Sequence, residues 1–189
     1  DTYEHASLTV AADGTQTLGA WAADAANPLP AGRTQLMAFA VDRSEAARVA
    51  AGTTFLYAAS GVDGAGGIVR DTDAAQVQAG GTLAPWRVLD GMTPGRAGYG
   101  AAAANNRLYV FGGQGAGPST SNASAEICAG AGAGCTGGPP ELTNWNALGL
   151  ALNVARYLTG SAVESAFIFL VGGETTGGAP TATTELTVW

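Results

Sequence analysis

Few residues of this chain have side chains that suit catalysis or metal binding, and its only histidine is His5. His5 lies in segment 3–8, YEHASL, which we predict to be a β-strand. A Ser-His-acid triad needs a positioned serine nucleophile, and the chain has no Gly-x-Ser-x-Gly motif of the kind that exposes one. We therefore predict an ordinary strand residue at His5 and no catalytic residue in the chain.

Three aspartates, Asp63, Asp71 and Asp73, lie close together in sequence and could supply the oxygen ligands that calcium prefers. Asp71 and Asp73 would point to one face if their segment is extended. The spacing is not that of an EF-hand loop, and aspartate beside glycine is common in turns. We favour the turn interpretation, keep calcium as the alternative, and predict no cofactor.

The charge of the chain limits its partners. All eight basic residues are arginine, so Schiff-base lysines, P-loop lysines and Ser-Lys dyads are excluded. The net charge of -7 would repel nucleic-acid phosphates and anionic lipids. The longest strongly apolar stretch, 166–171, has the length of a strand rather than of a membrane span. We predict neither nucleic-acid binding nor membrane insertion.

Two cysteines, Cys128 and Cys135, flank the glycine-rich segment AGAGAG. Glycines allow such a loop to bring the two sulfur atoms within bonding distance, so we predict a structural disulfide. The alternatives are a metal site bound by the two cysteines and two free thiols. A glycosylation sequon starts at Asn122, and we predict that it lies in the same loop. Both features favour an extracellular, cell-surface or periplasmic location.

An apolar segment that ends in a glycine pair recurs along the chain. The segments are 107–113, 166–173 and, more weakly, 54–61, where Ser60 replaces the first glycine. Such repeats of short strands predict an all-β repeat protein, because each unit buries its apolar face only against its neighbours. An insertion of about 11 residues is expected at 43–53, because Arg33 precedes Ser60 by 27 residues whereas Arg96 precedes Gly112 by only 16.

Arginine and tryptophan keep a regular spacing around each glycine pair. Trp86 precedes Arg96 by 10 residues, and Trp145 precedes the next arginine by 11. This pattern, best matched at Arg96, Tyr109, Gly112, Gly113 and Trp145, resembles the kelch repeat. The resemblance implies β-propeller blades of four antiparallel strands, with the glycine pair ending the second strand and tryptophan in the fourth.

In such a propeller Arg33, Arg96 and Arg156 would lie near one end of the central channel. A ring of guanidinium groups could bind an acidic ligand with paired hydrogen bonds. Because the arginine recurs in every unit, we favour a structural role in which each guanidinium binds loop carbonyls between blades, and keep ligand binding as the alternative. The recurrent tryptophans are expected to pack between blades.

We predict that the chain consists of four parts. Residues 1–32 are the third and fourth strands of a preceding blade, residues 33–95 and 96–155 are two blades, and residues 156–189 are an incomplete blade. Trp189 follows Gly172 by only 17 residues, so we expect it to close a third strand. About three and a quarter blades result, whereas closed propellers have roughly four to eight. Either the chain is part of a larger propeller, or several copies close a ring, or the hairpin at 3–22 adds strands to a neighbour.

Function follows less directly, because kelch-type propellers include scaffolds as well as galactose oxidase and sialic-acid-mutarotase-like enzymes. Copper radical oxidases need a Tyr-Cys crosslink and histidine ligands, which His5 and a cysteine pair do not supply. We predict a non-enzymatic extracellular or cell-surface module for protein binding or assembly. Its predicted partner is a protein or additional blades, a second copy included. The alternative is a carbohydrate-active or mutarotase-like propeller enzyme whose site lies at the channel mouth or in blades outside this sequence.

Overall fold

The computed structural model describes residues 3–42, 53–132, 134–137 and 140–188, and its elements are almost all antiparallel β-strands. The chain begins with a long hairpin in which β1 pairs with β4 and β2 pairs with β3. Its strands are β1 (Tyr3–His5), β2 (Leu8–Val10), β3 (Gln16–Leu18) and β4 (Ala22–Asp24). In the described part of the chain, no helix has the length and apolarity that a membrane crossing requires.

Sheet I follows, with four strands in the order β10-β9-β7-β6. A short pair, β5 (Arg33–Thr34) with β8 (Val62–Asp63), lies beside it. The sheet strands are β6 (Met37–Asp42), β7 (Thr54–Ala59), β9 (Thr72–Val77) and β10 (Arg87–Leu89). The insertion predicted at 43–53 lies between β6 and β7, and residues 43–52 are outside the described residues.

Sheet II repeats this arrangement with four strands in the order β11-β12-β13-β14. They are β11 (Gly100–Ala104), β12 (Arg107–Phe111), β13 (Asn122–Glu126) and β14 (Asn146–Ala147). Asn105 and Asn106 form the turn between β11 and β12 with φ values of 45° and 61°. Asparagine tolerates this left-handed conformation better than most residues, so the turn forms where the sequence predicts it.

Sheet III has three strands, β15 (Gly160–Glu164), β16 (Phe167–Val171) and β17 (Thr184–Val188). A single 3-10 turn, η1 (Thr176–Gly178), lies between β16 and β17. Within the described residues β17 pairs only with β16, whereas β9 and β13 each have a strand on both sides. One edge of β17 is therefore open.

Sheets I and II each pack one face on the sheet that follows in the chain. We call this face, and the equivalent face of sheet III, the forward face. The forward face of sheet I, including Tyr57 and Ala59, shares an apolar core with Leu108 and Val110 of sheet II. The forward face of sheet II, including Tyr109 and Phe111, packs on Ile168 and Leu170 of sheet III. Face-to-face packing of consecutive four-stranded units is the architecture of propeller blades.

Backbone hydrogen bonds also join the sheets where their first strands lie side by side. Gln35, Gly98 and Leu158 directly precede these regions, and all three have a positive φ of 51° to 59°. The N–H of Gly98 donates to the carbonyl of Gln35 at 2.8 Å, and the N–H of Leu158 donates to the carbonyl of Gly98. The same local conformation thus recurs from sheet to sheet and links them in series.

The tryptophans differ from the prediction that they lie in the fourth strands. Trp86 and Trp145 directly precede β10 and β14 rather than lying within them. The reason is that the indole of Trp145 turns into the core between sheets I and II, where its side chain is buried, and the ladder resumes only after it. Trp189 is outside the described residues.

Candidate interaction site

The three recurrent arginines occupy equivalent positions and bind backbone carbonyls. Arg33 donates to the carbonyl of Asp71 at 3.2 Å and Arg96 to that of Ser121 at 2.7 Å. Arg156 donates to the carbonyl of Thr183 at 3.0 Å. In each sheet this carbonyl precedes the third strand. Each guanidinium also binds a carbonyl at the end of the second strand of the same sheet, that of Ala58, Gly112 or Gly172. The arginines therefore tie two strands of one sheet together rather than bridging two blades as predicted, and ligand binding by them stays a prediction.

Two of the arginines also form buried ion pairs. Arg33 pairs with Asp73, and Arg156 pairs with Glu185 at 2.6 Å. Burial raises the pKa of Asp73 although the Arg33 charge opposes the shift. Burial also acts to raise the pKa of Glu185, but hydrogen bonds from the N–H groups of Asn153 and Val154, together with the charge of Arg156, outweigh it and leave this pKa lowered.

Arg96 differs because alanine, Ala123, stands at the strand position where the other sheets have Asp73 and Glu185. The residue is 4% exposed, and burial lowers the pKa of its guanidinium. No carboxylate among the described residues pairs with Arg96. Its NH1 group is instead held between the carbonyls of Gly112 and Ser121.

The carbonyls of Arg96 and Arg156 contact the preceding sheet at its glycine pair or, in sheet I, at the equivalent Ser60-Gly61. The N–H of Gly61 donates to the carbonyl of Arg96, and the N–H of Gly113 donates to the carbonyl of Arg156 at 2.8 Å. Gly113 has a φ of +84°, and a Cβ atom there would lie 2.8 Å from Cβ of Tyr99. The glycine pair is thus required for both its conformation and this close approach. At the equivalent Gly173, the N–H has no partner within the described residues.

Trp145 packs in the interface between sheets I and II. The indole N–H of Trp145 donates to Oγ1 of Thr72 at 3.1 Å, and Trp145 is 8% exposed. At the equivalent position in sheet I, Trp86 donates to the carbonyl of Asn27 at 3.1 Å. Trp21, which precedes β4 in the same way, is 66% exposed.

The interface between sheets II and III contains a groove with a volume of about 430 Å³. Its walls are mainly apolar, and one polar side chain, Asn122, is buried within it at 6% exposure. Nδ2 of Asn122 donates to the carbonyl of Leu150 at 2.7 Å. The principal wall residues, which we call the groove residues, are Tyr109, Phe111, Asn122, Leu148, Ile168 and Leu170.

A second apolar surface is the forward face of sheet III. Phe167 pairs across the sheet with Val188, and Phe169 pairs with Leu186, so these side chains share one face. Phe167 is 41% exposed and Leu186 is 61% exposed. In sheets I and II the equivalent face is covered by the next sheet. Here no described residue covers it.

The predicted disulfide is confirmed, since Cys128 and Cys135 are bonded with their Cα atoms 5.9 Å apart. The sequon residue Asn122 is not in a surface loop, because it begins the buried strand β13. The amide that would carry a glycan is the Nδ2 group bound to Leu150. We therefore expect no glycosylation of the folded chain at Asn122.

Within the described residues, the three aspartates considered for calcium are not grouped as a cluster of potential metal ligands. Asp63 accepts hydrogen bonds from the N–H groups of Ala65 and Gly67 in a turn, and Asp73 is paired with Arg33. No cluster of three or more potential metal ligands occurs among the described residues. His5 lies in β1, and its ring is close to Gly81, where an added Cβ would approach it to 2.9 Å.

The comparisons with known proteins agree with this architecture. The kelch motif matches residues 95–127, which run from the segment before β11 to the end of β13. The solved structure of YjhT is similar, with a TM-score of 0.61, 18% sequence identity and coverage of 89% of this chain. The alignment covers 48% of the YjhT chain, so this chain spans about half its length. No curated protein sequence matches the chain.

The sequence predicts the repeat and an incomplete arc with an exposed face, but not which residues form the groove or the forward face of sheet III. Both depend on which residues of distant segments meet. The sequence does contain one indication of the groove. Asn122 stands at the position that Thr72 occupies in sheet I, at the start of the third strand. Reading Asn122 as a loop residue concealed it.

Proposed function

We propose that this chain, which contains a kelch motif and folds as kelch-type β-propeller blades, is a non-enzymatic binding and assembly module. Its forward face on sheet III would pack against a further kelch-type blade. The observation that carries the proposal is the exposure of Phe167, Val171, Leu186 and Val188, between 41% and 61%, on a face that is covered in sheets I and II. Contiguous exposed apolar patches of this kind typically mark interaction surfaces.

The backbone supports the same proposal. Gly61 and Gly113 each donate to an arginine carbonyl in the next sheet, and the equivalent donor of Gly173 points to no acceptor within the described residues. A further blade with an arginine at the equivalent position would supply one. A second copy of the chain carries such blades, so assembly through this face would be visible as self-association.

The test is sedimentation velocity over a range of protein concentrations. We expect the wild-type chain to associate, and Phe167→Glu to abolish association because it places a charge on the forward face. The matched control is Val163→Glu, since Val163 is 40% exposed in the same sheet and shares the opposite face with Ile168. A wild-type chain that stays monomeric at all concentrations, or equal effects of the two variants, would contradict the proposal.

We also propose an oxidising compartment, outside the cell or in the periplasm. The support is the Cys128–Cys135 bond and its neighbouring backbone pairing between Gly132 and Cys135. Intact mass of protein from its native source, measured after alkylation without reduction, is expected to show no modified thiol. Two alkylated cysteines would refute this location.

A further inference from the structure

The groove between sheets II and III corresponds, position by position, to a site that is filled elsewhere in the same chain. Asn122 and Thr72 are equivalent, because each begins a third strand directly after the carbonyl that binds the recurrent arginine. The other groove residues have equivalents by the same register. In sheet I, Tyr57, Ala59, Thr72 and Leu89 correspond to Tyr109, Phe111, Asn122 and Leu148 of sheet II. In sheet II, Leu108 and Val110 correspond to Ile168 and Leu170 of sheet III.

In the interface between sheets I and II, the equivalent position is occupied by Trp145, which shares a core with these residues. The apolar members belong to the same core as Trp145 or pack against it, and Thr72 accepts the hydrogen bond from its indole N–H. Trp145 belongs to the segment that leads into the fourth strand of sheet II. Sheet III has three described strands, and the corresponding position is the groove.

The polar atom in the groove has the chemistry that this comparison requires. Nδ2 of Asn122 is occupied by the carbonyl of Leu150, which directs Oδ1 of the same amide away from that bond. This Oδ1 is buried and has no hydrogen-bond partner within the described residues. A buried acceptor without a partner is destabilising. An indole N–H entering the groove would satisfy it as Trp145 satisfies Thr72.

The edge of the groove offers the second half of a strand-binding site. β17 has a partner on one side only, so its outer N–H and C=O groups can pair with an added antiparallel strand. In this chain each segment leading to a fourth strand contains Leu-x-x-Trp, at Leu18–Trp21, Leu83–Trp86 and Leu142–Trp145. Leu83 and Leu142 are buried beside their sheets.

We propose that the groove binds the fourth strand of an additional kelch repeat, an extended segment containing Leu-x-x-Trp. The strand adds to the open edge of β17, and its indole N–H donates to Oδ1 of Asn122. This inference rests on the proposed assembly function, but Ile168 and Leu170 in the groove lie on the opposite side of sheet III from Phe167. The two can therefore fail independently.

The probe is a fluorescein-labelled peptide with the sequence of residues 141–150, ELTNWNALGL, titrated with the intact chain and followed by fluorescence anisotropy. We expect saturable binding. A peptide with phenylalanine in place of the tryptophan is expected to bind roughly fivefold to tenfold more weakly, because one hydrogen bond of about 1 kcal/mol is lost. Absence of saturable binding of the tryptophan peptide would overturn the proposal.

Variants of the chain distinguish the hydrogen bond between the indole and Asn122 from non-specific apolar binding of the peptide. Asn122→Leu is expected to abolish the preference for tryptophan over phenylalanine, and Asn122→Thr to retain it, since threonine accepts the indole bond at the equivalent position. Circular dichroism checks that both variants are folded. If Asn122→Leu is unfolded, Asn122→Thr provides the test. A retained preference for the tryptophan peptide would support the assignment, and a lost preference would overturn it. An unchanged preference in folded Asn122→Leu would overturn the assignment.

The forward-face variant keeps this proposal distinct from the assembly function. Phe167→Glu is expected to leave peptide binding unchanged, because Phe167 lies on the opposite face from Ile168 and Leu170. Peptide binding without self-association would retain the groove and reject the assembly proposal. A different result would be self-association that blocks peptide binding and is abolished by Trp21→Ala. It would show that a second copy fills the groove with its N-terminal hairpin, and it would overturn the assignment to an additional repeat.

Discussion

Removal of the Arg156 guanidinium should destabilise the chain far more than removal of the exposed Arg107 guanidinium. Arg156 is fully buried and binds the carbonyls of Gly172 and Thr183, the hydroxyl of Thr183 and the carboxylate of Glu185. In Arg156→Met these acceptors lose their donor, and the carboxylate is left without its cation. Breaking a buried ion pair in this way typically costs about 3–5 kcal/mol.

The comparison is controlled because the chain contains a second ion pair with nearly the same geometry. The Arg107–Glu126 pair measures 2.7 Å against 2.6 Å for Arg156–Glu185, but its side chains are 38% and 48% exposed against 0% and 11%. Exposed pairs are typically worth about 0–1 kcal/mol. We therefore expect Arg107→Met to lower the free energy of unfolding by less than about 1 kcal/mol.

Urea unfolding followed by tryptophan fluorescence measures both effects. Because about 3–5 kcal/mol is a large part of the stability of a typical domain, Glu185→Gln provides a milder perturbation at the same site. It keeps an oxygen acceptor while removing the charge, and Glu126→Gln is its exposed counterpart. Equal losses for the buried and exposed variants, within experimental error, would refute the argument that burial determines the contribution of these pairs.

Three further predictions follow from the same contacts. Gly113→Ala should cost about 1–3 kcal/mol because of its positive φ and the nearby Tyr99, whereas Gly117→Ala, with open space around it, should change stability by less than about 0.5 kcal/mol; urea unfolding measures both. Trp145→Phe should destabilise by about 1–2 kcal/mol through loss of the bond to Thr72, and equal unfolding curves for the two proteins would contradict this. The pKa of Glu185 in the folded state is lowered from 4.5, so the ionised carboxylate stabilises the fold above pH 4.5 and this stabilisation is lost as the pH falls further. Glu185→Gln should therefore reduce the loss of stability at acidic pH, measured by denaturation followed by circular dichroism.

The repeat unit could be predicted from sequence because its main determinants are local. A glycine pair with positive φ ends each second strand of sheets II and III, and Asn105-Asn106 forms the expected turn. In sheet I the first glycine is replaced by Ser60, which keeps a φ of +50°. Its hydroxyl donates to the carbonyl of Val69 and accepts from the N–H of Arg96, and these bonds hold the conformation that glycine adopts freely elsewhere.

The candidate sites could not be predicted in the same way because they depend on segments far apart in sequence. Asp73 looked like one member of an acidic cluster, but its charge is balanced by Arg33, 40 residues away. Asn122 matched a sequon of three residues, whereas its burial is decided by Leu150 and by the packing of sheet III. A local motif contains no information about which distant strand will cover it.

Arg96 shows how this architecture tolerates variation in one repeat without losing the fold. Its side chain lacks the carboxylate that Arg33 and Arg156 have, yet the guanidinium still bridges two carbonyls and its own carbonyl still accepts the N–H of Gly61. The arginine therefore makes two separable contributions, one through the charge and one through the backbone. Because the backbone contribution connects successive sheets and is independent of the acid, a blade can exchange its ion pair for apolar packing, as at Ala123, while the connection to its neighbours is kept.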